Sequence, residues 1–290
     1  MDKRHPVRKA LTGAVELSVR LFGRRTPAVS VYELAFEALP EAFDGCRFVQ
    51  LSDLHGRLFG PGQSRLKETL RALAPDYILI TGDLVEDGED VRTVPELMAF
   101  LAELAPTFFA PGNHETRLPE ELREALYRTL REAGVCVLSG ECAVLKRGGQ
   151  TLALGGVFSK PDSPLFEEPG LMTEEELRSL QAVREQAAGR FLILMAHRPE
   201  CCGMSAKTGA SLIFSGHAHG GLMPLPGGAL LAPGQGWFPK RVRGIYRDGE
   251  AEGPVSVVSA GLGGPRILVK PEIVSLVIRK SYPQRENGLK

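Results

Sequence analysis

The sequence predicts an α/β protein whose strands form one mixed sheet or two stacked sheets, with helices on the outside. Two observations lead there. In the first half, short apolar runs alternate with stretches whose apolar residues recur at helical spacing; in the second half, neighbouring runs pair as hairpins. A chain of 290 residues, 43% hydrophobic and 24% charged, has the composition of a soluble protein and is long enough to bury one large α/β core.

Residues 29–39 alternate enough for an edge strand, and residues 47–52 form a short strand. In residues 63–74, Leu66, Leu70 and Leu73 share one helical face. The run YILIT, residues 77–81, is nearly continuously apolar, as in a strand covered on both faces. Val94, Leu97, Met98, Leu101 and Leu104 form a second helical stripe, and residues 107–110 a third strand. A helix is expected from Pro119, a good first-turn residue, to Gly134. Residues 142–146 and 151–154 flank Arg147-Gly148-Gly149-Gln150 and read as a hairpin. The next helix, from Glu174, carries the strongest signals: Thr173 and Glu176 at capping-box spacing and Gly189 as its stop. Strands follow at 191–195, 211–214, 255–259 and 272–278. Residues 220–236, rich in Gly and Pro, read as one long loop.

Charge is balanced at 35 basic and 35 acidic residues, which argues against a nucleic-acid partner. The five cysteines (Cys46, Cys136, Cys142, Cys201 and Cys202) match no zinc spacing and read as free, mostly buried thiols of a reducing compartment. Residues 1–25 hold seven Lys or Arg against Asp2 and Glu16, a local net charge of +5. Their apolar positions fall near helical spacing, so this segment reads either as an amphipathic helix on an anionic membrane surface or as a solvated helix packed on the domain. No run in it suits a membrane span or an export signal. The expected organisation is a basic segment 1–28, a domain 29–283 and a tail 284–290. The expected location is cytoplasmic, with a peripheral position on the inner face of the membrane under the first reading.

Five polar motifs directly follow five of these strands: Asp53-Leu54-His55, Gly82-Asp83, Gly112-Asn113-His114-Glu115, His197, and Gly216-His217-Ala218-His219. Strand carboxyl ends are where ligands collect in α/β sheets, so the five segments can meet in one crevice. Five of the six histidines lie in them. Carboxylates, an amide and imidazoles together suit Mn²⁺, Fe²⁺ or Zn²⁺. The spacing of two in Asp53-x-His55 and His217-x-His219 predicts side chains on one face of an extended segment. Gly82, Gly112 and Gly216 are expected to let the backbone turn tightly beside the ligands.

This ordered set resembles the calcineurin-like metallophosphoesterase superfamily, whose motifs run D-x-H, G-D, G-N-H-[DE], H and G-H-x-H. The resemblance spans residues 45–220. More loosely, VYELAFEALPEAFDGCRFVQLSDLHG and GLGGPRILVKPEI look like its bacterial, membrane-associated branch. It implies a four-layer α/β/β/α sandwich with two stacked mixed sheets and two divalent ions. Asp53, His55 and His219 would hold the first ion, Asn113, His197 and His217 the second, with Asp83 bridging. The implied reaction is phosphoester hydrolysis by water activated between the metals, with His114 as general acid. The implied substrates are phosphodiesters or pyrophosphates, including lipid-linked or nucleotide-sugar compounds such as UDP-diacylglucosamine. A soluble phosphomonoesterase or a nuclease of the same fold is the alternative. A non-catalytic scaffold is a poorer reading, because all seven ligand positions and His114 are intact.

The chain departs from the branch's G-H-T-H-G-G-Q at Ala218 and Leu222, which leaves bonding around the ligands open, and Gly156-Val157-Phe158-Ser159 lacks the acidic residues of relatives. Arg57, Arg117 and Arg198 adjoin ligand segments and are candidates for gripping a phosphate. Lys240, Arg241, Arg243 and Arg247 read either as a patch for an acidic headgroup or as a solvated face.

Overall fold

A computed structural model describes residues 26–86, 94–160, 172–200, 208–247, 253–264, 266 and 268–282. The basic segment 1–25, Cys201, Cys202 and the tail 284–290 lie outside the described residues. The strands are β1 (Ala28–Phe36), β2 (Arg47–Leu51), β3 (Tyr77–Thr81), β4 (Thr107–Ala110), β5 (Cys136–Val137), β6 (Glu141–Arg147), β7 (Gln150–Gly156), β8 (Leu192–Met195), β9 (Leu212–Ser215), β10 (Pro224–Leu225), β11 (Gly228–Ala229), β12 (Leu231–Ala232), β13 (Gly236–Trp237), β14 (Gly244–Arg247), β15 (Val255–Val258) and β16 (Glu272–Lys280). The helices are α1 (Ser64–Leu73), α2 (Val94–Leu104), α3 (Asn113–Arg117), α4 (Glu120–Glu132) and α5 (Glu174–Ala187).

Two six-stranded mixed sheets result, ordered β1-β16-β2-β3-β4-β5 and β14-β15-β9-β8-β7-β6. In the first, β2 to β5 run parallel and β16 is antiparallel to β2; in the second, β7, β8, β9 and β15 run parallel. Successive strand residues point to opposite faces, and each face finds an apolar partner. Val49, Leu51, Ile78, Ile80 and Phe109 pack with Leu66, Leu70, Leu97, Leu101 and Leu126 of α1, α2 and α4. The other face, with Phe48, Leu79 and Phe108, meets Leu152, Leu154, Ile193, Met195 and Phe214 of the second sheet. That sheet's outer residues, including Ala153, Leu192 and Leu194, bury Leu180, Val183 and Ala187 of α5. The order is therefore helix, sheet, sheet, helix.

The local signals act as physical chemistry requires. Thr173 Oγ1 accepts from Glu176 N at 3.2 Å while Thr173 N donates to Glu176 Oε2 at 2.8 Å, the reciprocal pair that closes a helix start. Gly148 and Gly149 both have positive φ, +52° and +77°, as a two-residue hairpin turn with strand-matching twist demands. Pro119 precedes α4 as its N-cap instead of standing in the first turn. Residues 220–236 are not one loop: they fold into two small antiparallel ladders, β10–β11 and β12–β13, too short for any period to show in sequence. Of the three described cysteines, Cys46 is buried, Cys142 half-buried and Cys136 exposed, so the expectation of mostly buried thiols fails there.

Gln50 joins the sheets directly beneath the strand ends. Its fully buried Nε2 donates to Thr81 Oγ1 at 2.8 Å and to the Ser215 carbonyl at 2.9 Å. Gln50→Ala removes both bonds and leaves a void, so urea unfolding should show a loss of roughly 2–4 kcal/mol with the denaturant slope unchanged.

Candidate metal centre

The five motif segments leave the carboxyl ends of β2, β3 and β4 in one sheet and β8 and β9 in the other, and they meet at the seam between the sheets. Asp53 N donates to the Gly82 carbonyl at 3.0 Å and His55 N to the Asp83 carbonyl at 3.0 Å, which keeps the first two segments side by side past the strands. The second sheet is tied in by Asp53, whose carboxylate accepts from His217 N at 3.0 Å.

The candidate metal ligands gather in two groups, and a third set, His55, Glu86 and His114, shares His55 with the first. The donor atoms of Asp53, His55 and His219 lie within 4.8 Å of one another, and so do those of Asp83, His197 and His217. Asp83 Oδ2 is central: His197 Nε2 is 3.1 Å away, His55 Nε2 3.7 Å and His114 Nε2 4.0 Å. Asn113 Oδ1 lies 3.0 Å from His197 Nε2, at the second group. Asp53, Asp83, Asn113, His197, His217 and His219 are all buried.

The local backbone differs from the extended face expected for the i, i+2 pairs. Asp53, His55, Asp83, His217 and His219 have φ of 52°, 48°, 52°, 64° and 50°. This left-handed region is sparsely used by residues other than glycine, although Asp and His tolerate it better than most, and each such residue costs of order 1 kcal/mol or more. The paired ligands converge because the chain coils after the strand, not because it stays pleated. Among the three glycines, only Gly82 turns through positive φ (+86°). Gly112 and Gly216 are needed for close approach: a methyl on Gly112 would collide with the Asp83 carboxylate, and one on Gly216 with Ser52 and Asp53.

Glu115 explains how the cluster keeps its shape. Its fully buried carboxylate accepts from the amides of Asp83 (2.9 Å), Leu84 (2.7 Å), Val85 (3.3 Å) and Gly112 (2.8 Å). Thus it stitches the β3 loop to the β4 loop. The ring of His114 is held elsewhere: its Nδ1 lies 3.0 Å from the Glu86 carbonyl and 2.9 Å from Arg117 Nη2. Glu86, not singled out in the sequence, also places its carboxylate 2.5 Å from His55 Nδ1. That contact leaves Nε2 of His55 facing Asp83, just as the Thr81 carbonyl at 2.7 Å from His197 Nδ1 leaves Nε2 of His197 facing Asp83.

The electrostatics fit cations. Burial pushes the Asp83 carboxyl up, but His197, His55 and His114 outweigh it and hold the group well below its usual range. Burial acts to lower His197, yet Asp83 and Asp53 raise it to about 10. Burial, with Arg198 beside His217 and His55 and Arg266 beside His219, keeps both rings neutral. A neutral imidazole is the form that ligates. His219 Nδ1 is buried without a hydrogen-bond partner. A buried carboxylate pair ringed by imidazoles with an unsatisfied nitrogen is the donor set that divalent cations satisfy.

The three candidate arginines part ways. Arg57 Nη1 donates to the Leu262 carbonyl at 3.0 Å, so its guanidinium braces the wall of the site. Arg117 is exposed beside His114, and Arg198 is buried near His217. The segment 261–264 was not foreseen as part of the site. It presses on Asp53 and His219, and the buried Arg266 fixes it by donating to the carbonyls of Gly261 and Gly263. Ala218 packs in a small apolar cluster with Ala229, Ala232, Val242 and Val258.

Two outcomes follow from this geometry. Glu115→Ala would strand four buried amides and release the two loops, so it should lower stability by roughly 3–5 kcal/mol and abolish metal uptake in equilibrium dialysis. Because metal-free His197 holds a proton at neutral pH, adding Mn²⁺ to metal-free protein near pH 7 should release protons to an indicator dye in weak buffer; His197→Gln should lower that yield by about one proton per chain.

Residues 46–221 match the family described as calcineurin-like phosphoesterase. The chain is 28% identical over 271 residues to a zebrafish "Transmembrane protein with metallophosphoesterase domain", covering 88% of this chain and 58% of that protein, so it spans less than two thirds of that relative. It is 27% identical over 254 residues to the uncharacterized metallophosphoesterase YkuE of Bacillus subtilis, covering 84% of this chain and 82% of that one. Identity is also 27% over 233 residues with the phosphodiesterase YaeI of Escherichia coli, covering 78% and 79%. No helix among the described residues is long and apolar enough to cross a membrane. With two mixed sheets, two groups of candidate metal ligands at their seam and a family match over most of the chain, this protein belongs to the calcineurin-like phosphoesterase family and is a metallophosphoesterase, a hydrolase of phosphoester bonds.

Proposed function

We propose that the chain hydrolyses phosphodiesters or pyrophosphates with two divalent ions, manganese being the first to try. The observation that carries this reading is the convergence of two ligand groups on one buried carboxylate, Asp83. In it Asp53, His55 and His219 hold one ion, Asn113, His197 and His217 the other, and Asp83 both. The bound ions would supply positive charge to the phosphoryl oxygens and acidify water at the site.

The remaining work falls to side chains. His114 is partly exposed while its neighbours are buried, and when protonated its Nδ1–H can donate to the Glu86 carbonyl, 3.0 Å away. Its Nε2 is thereby aimed toward Asp83, where a proton on it can pass to the departing ester oxygen. Arg198 and Arg117 border opposite groups of the cluster and suit a non-bridging phosphate oxygen. The name of the E. coli relative supports a diester over a monoester. Lipid-linked or nucleotide-sugar pyrophosphates such as UDP-diacylglucosamine stay within this class, and residues 1–25, with their +5 charge, suit a peripheral position at an anionic membrane. Zero net charge disfavours a nuclease.

With Mn²⁺, turnover of bis(p-nitrophenyl) phosphate should exceed that of p-nitrophenyl phosphate and vanish on chelation; a reversed order moves the protein to the monoesterase reading. His114→Asn should lower kcat by about 10²–10⁴-fold with metal content unchanged, whereas Asp83→Asn should lose both metal and turnover. Loss of metal in the His114 variant would instead make that residue a ligand.

A further inference from the structure

An imidazole binds a metal through one ring nitrogen, and what its other nitrogen meets decides which one is free to do so. His55 and His197 both have Nδ1 occupied, by the Glu86 carboxylate at 2.5 Å and the Thr81 carbonyl at 2.7 Å. His217 is approached from the opposite edge. The turn between β12 and β13 brings Gly234 against its ring. The point where a side chain at residue 234 would begin lies 2.8 Å from His217 Nε2 and 3.0 Å from its Cδ2, and closer still to Glu200 Oε1. Gly234 is required there on two grounds: its φ is +68°, and any Cβ would collide with both the oxygen and the nitrogen.

Glu200 has no part in the reading above. It stands three residues after His197, past the end of β8. Both of its carboxylate oxygens are shut off from solvent, and neither has a hydrogen-bond partner in another residue among the described residues. Burial pushes its carboxyl up, while Arg198 and His197 act against that. A carboxylate so placed is costly unless a donor reaches it. The group that faces it across Gly234 is the Nε2 edge of His217.

We propose that Glu200 is a positioning residue for the second ion: its carboxylate accepts a hydrogen bond from Nε2–H of His217, which fixes the tautomer of that ring and leaves Nδ1 to coordinate. The proposal rests on the two-ion reading of the site and adds to it a carboxylate that touches neither ion. His217 then coordinates through the nitrogen opposite to the one used by His55 and His197, because its outer partner lies on the other edge of the ring. A carboxylate on the far nitrogen also makes an imidazole a stronger ligand. Glu200 therefore governs the ion held by Asn113, His197 and His217, and leaves the ion held by Asp53, His55 and His219 unaffected.

Two measurements on the full-length protein test this, neither of them turnover. In zinc-loaded protein labelled with ¹⁵N-histidine, long-range ¹H–¹⁵N spectra should show His217 protonated at Nε2 and metal-bound at Nδ1, its signals being those lost in His217→Gln. The Nε2 proton should move in Glu200→Gln. In equilibrium dialysis the parent should bind two Mn²⁺ ions. Glu200→Gln should weaken one of them about tenfold and Glu200→Ala up to about 100-fold, with the other ion unchanged. The spectrum of the parent decides the tautomer even where a variant fails to fold. Zinc-loaded parent with the His217 proton on Nδ1 overturns the proposal, as do two Mn²⁺ affinities that Glu200→Gln leaves unchanged. A His217 Nε2 proton that does not respond to Glu200→Gln also overturns it and assigns Glu200 to Arg198. A parent that binds a single ion, with His217 unligated, overturns the two-ion reading and this proposal together.

Discussion

Two carboxylates, those of Asp53 and Asp83, are taken out of water at the seam between two sheets, and much of the surrounding structure compensates for that. A buried anion without partners is too costly to survive. Here each is met by imidazoles and backbone amides: His217 N on Asp53, His114 N on Asp83 at 2.9 Å. A third buried carboxylate, Glu115, accepts from the amides of Asp83 and Gly112 beside them. The glycines beside them are a consequence of the same crowding, since at Gly112 and Gly216 even a methyl group would occupy carboxylate space.

The strained backbone at five of the donor residues belongs to the same economy of space. Strands deliver these residues to a common edge, but a pleated chain would carry each i, i+2 pair onward in parallel. Left-handed residues coil the chain back instead, so that Asp53 and His55, or His217 and His219, surround a point. The two rigid sheets supply the stability against which this local strain is held.

Much of this was legible in the sequence because it is local. β3 and β4 appear at the expected residues, and the Thr173–Glu176 cap and the Gly148-Gly149 turn follow from neighbours in the chain. The motif order identified the residues that meet at the seam. Long-range features were not legible. Glu86 lies in no recognisable pattern, and only the fold shows its carboxylate on His55. Arg266 looks like one more basic residue until its burial against Gly261 and Gly263 is seen. The hairpins of residues 224–237 are two residues to a strand, below the length at which alternation carries information. Arg57 likewise makes a contact that its sequence neighbourhood does not show, the bond from its guanidinium to the Leu262 carbonyl.

The place of β16 in the first sheet has a consequence for biosynthesis. It lies between β1 and β2, pairing in parallel with the former and antiparallel with the latter, so β1 touches the rest of its sheet only through residues 272–280. During synthesis β1 therefore has no partner strand until residues 272–280 have been made, more than 230 residues later. The contact is among the most distant in sequence that the fold contains, the kind that closes slowly. Until it closes, the exposed edges of β1 and β2 are open to pairing with other chains, and the wall formed by residues 261–264 has no fixed place against Asp53. The edges stay open until residues 272–280 are available, and the candidate metal centre is completed only once residues 261–264 are held against Asp53.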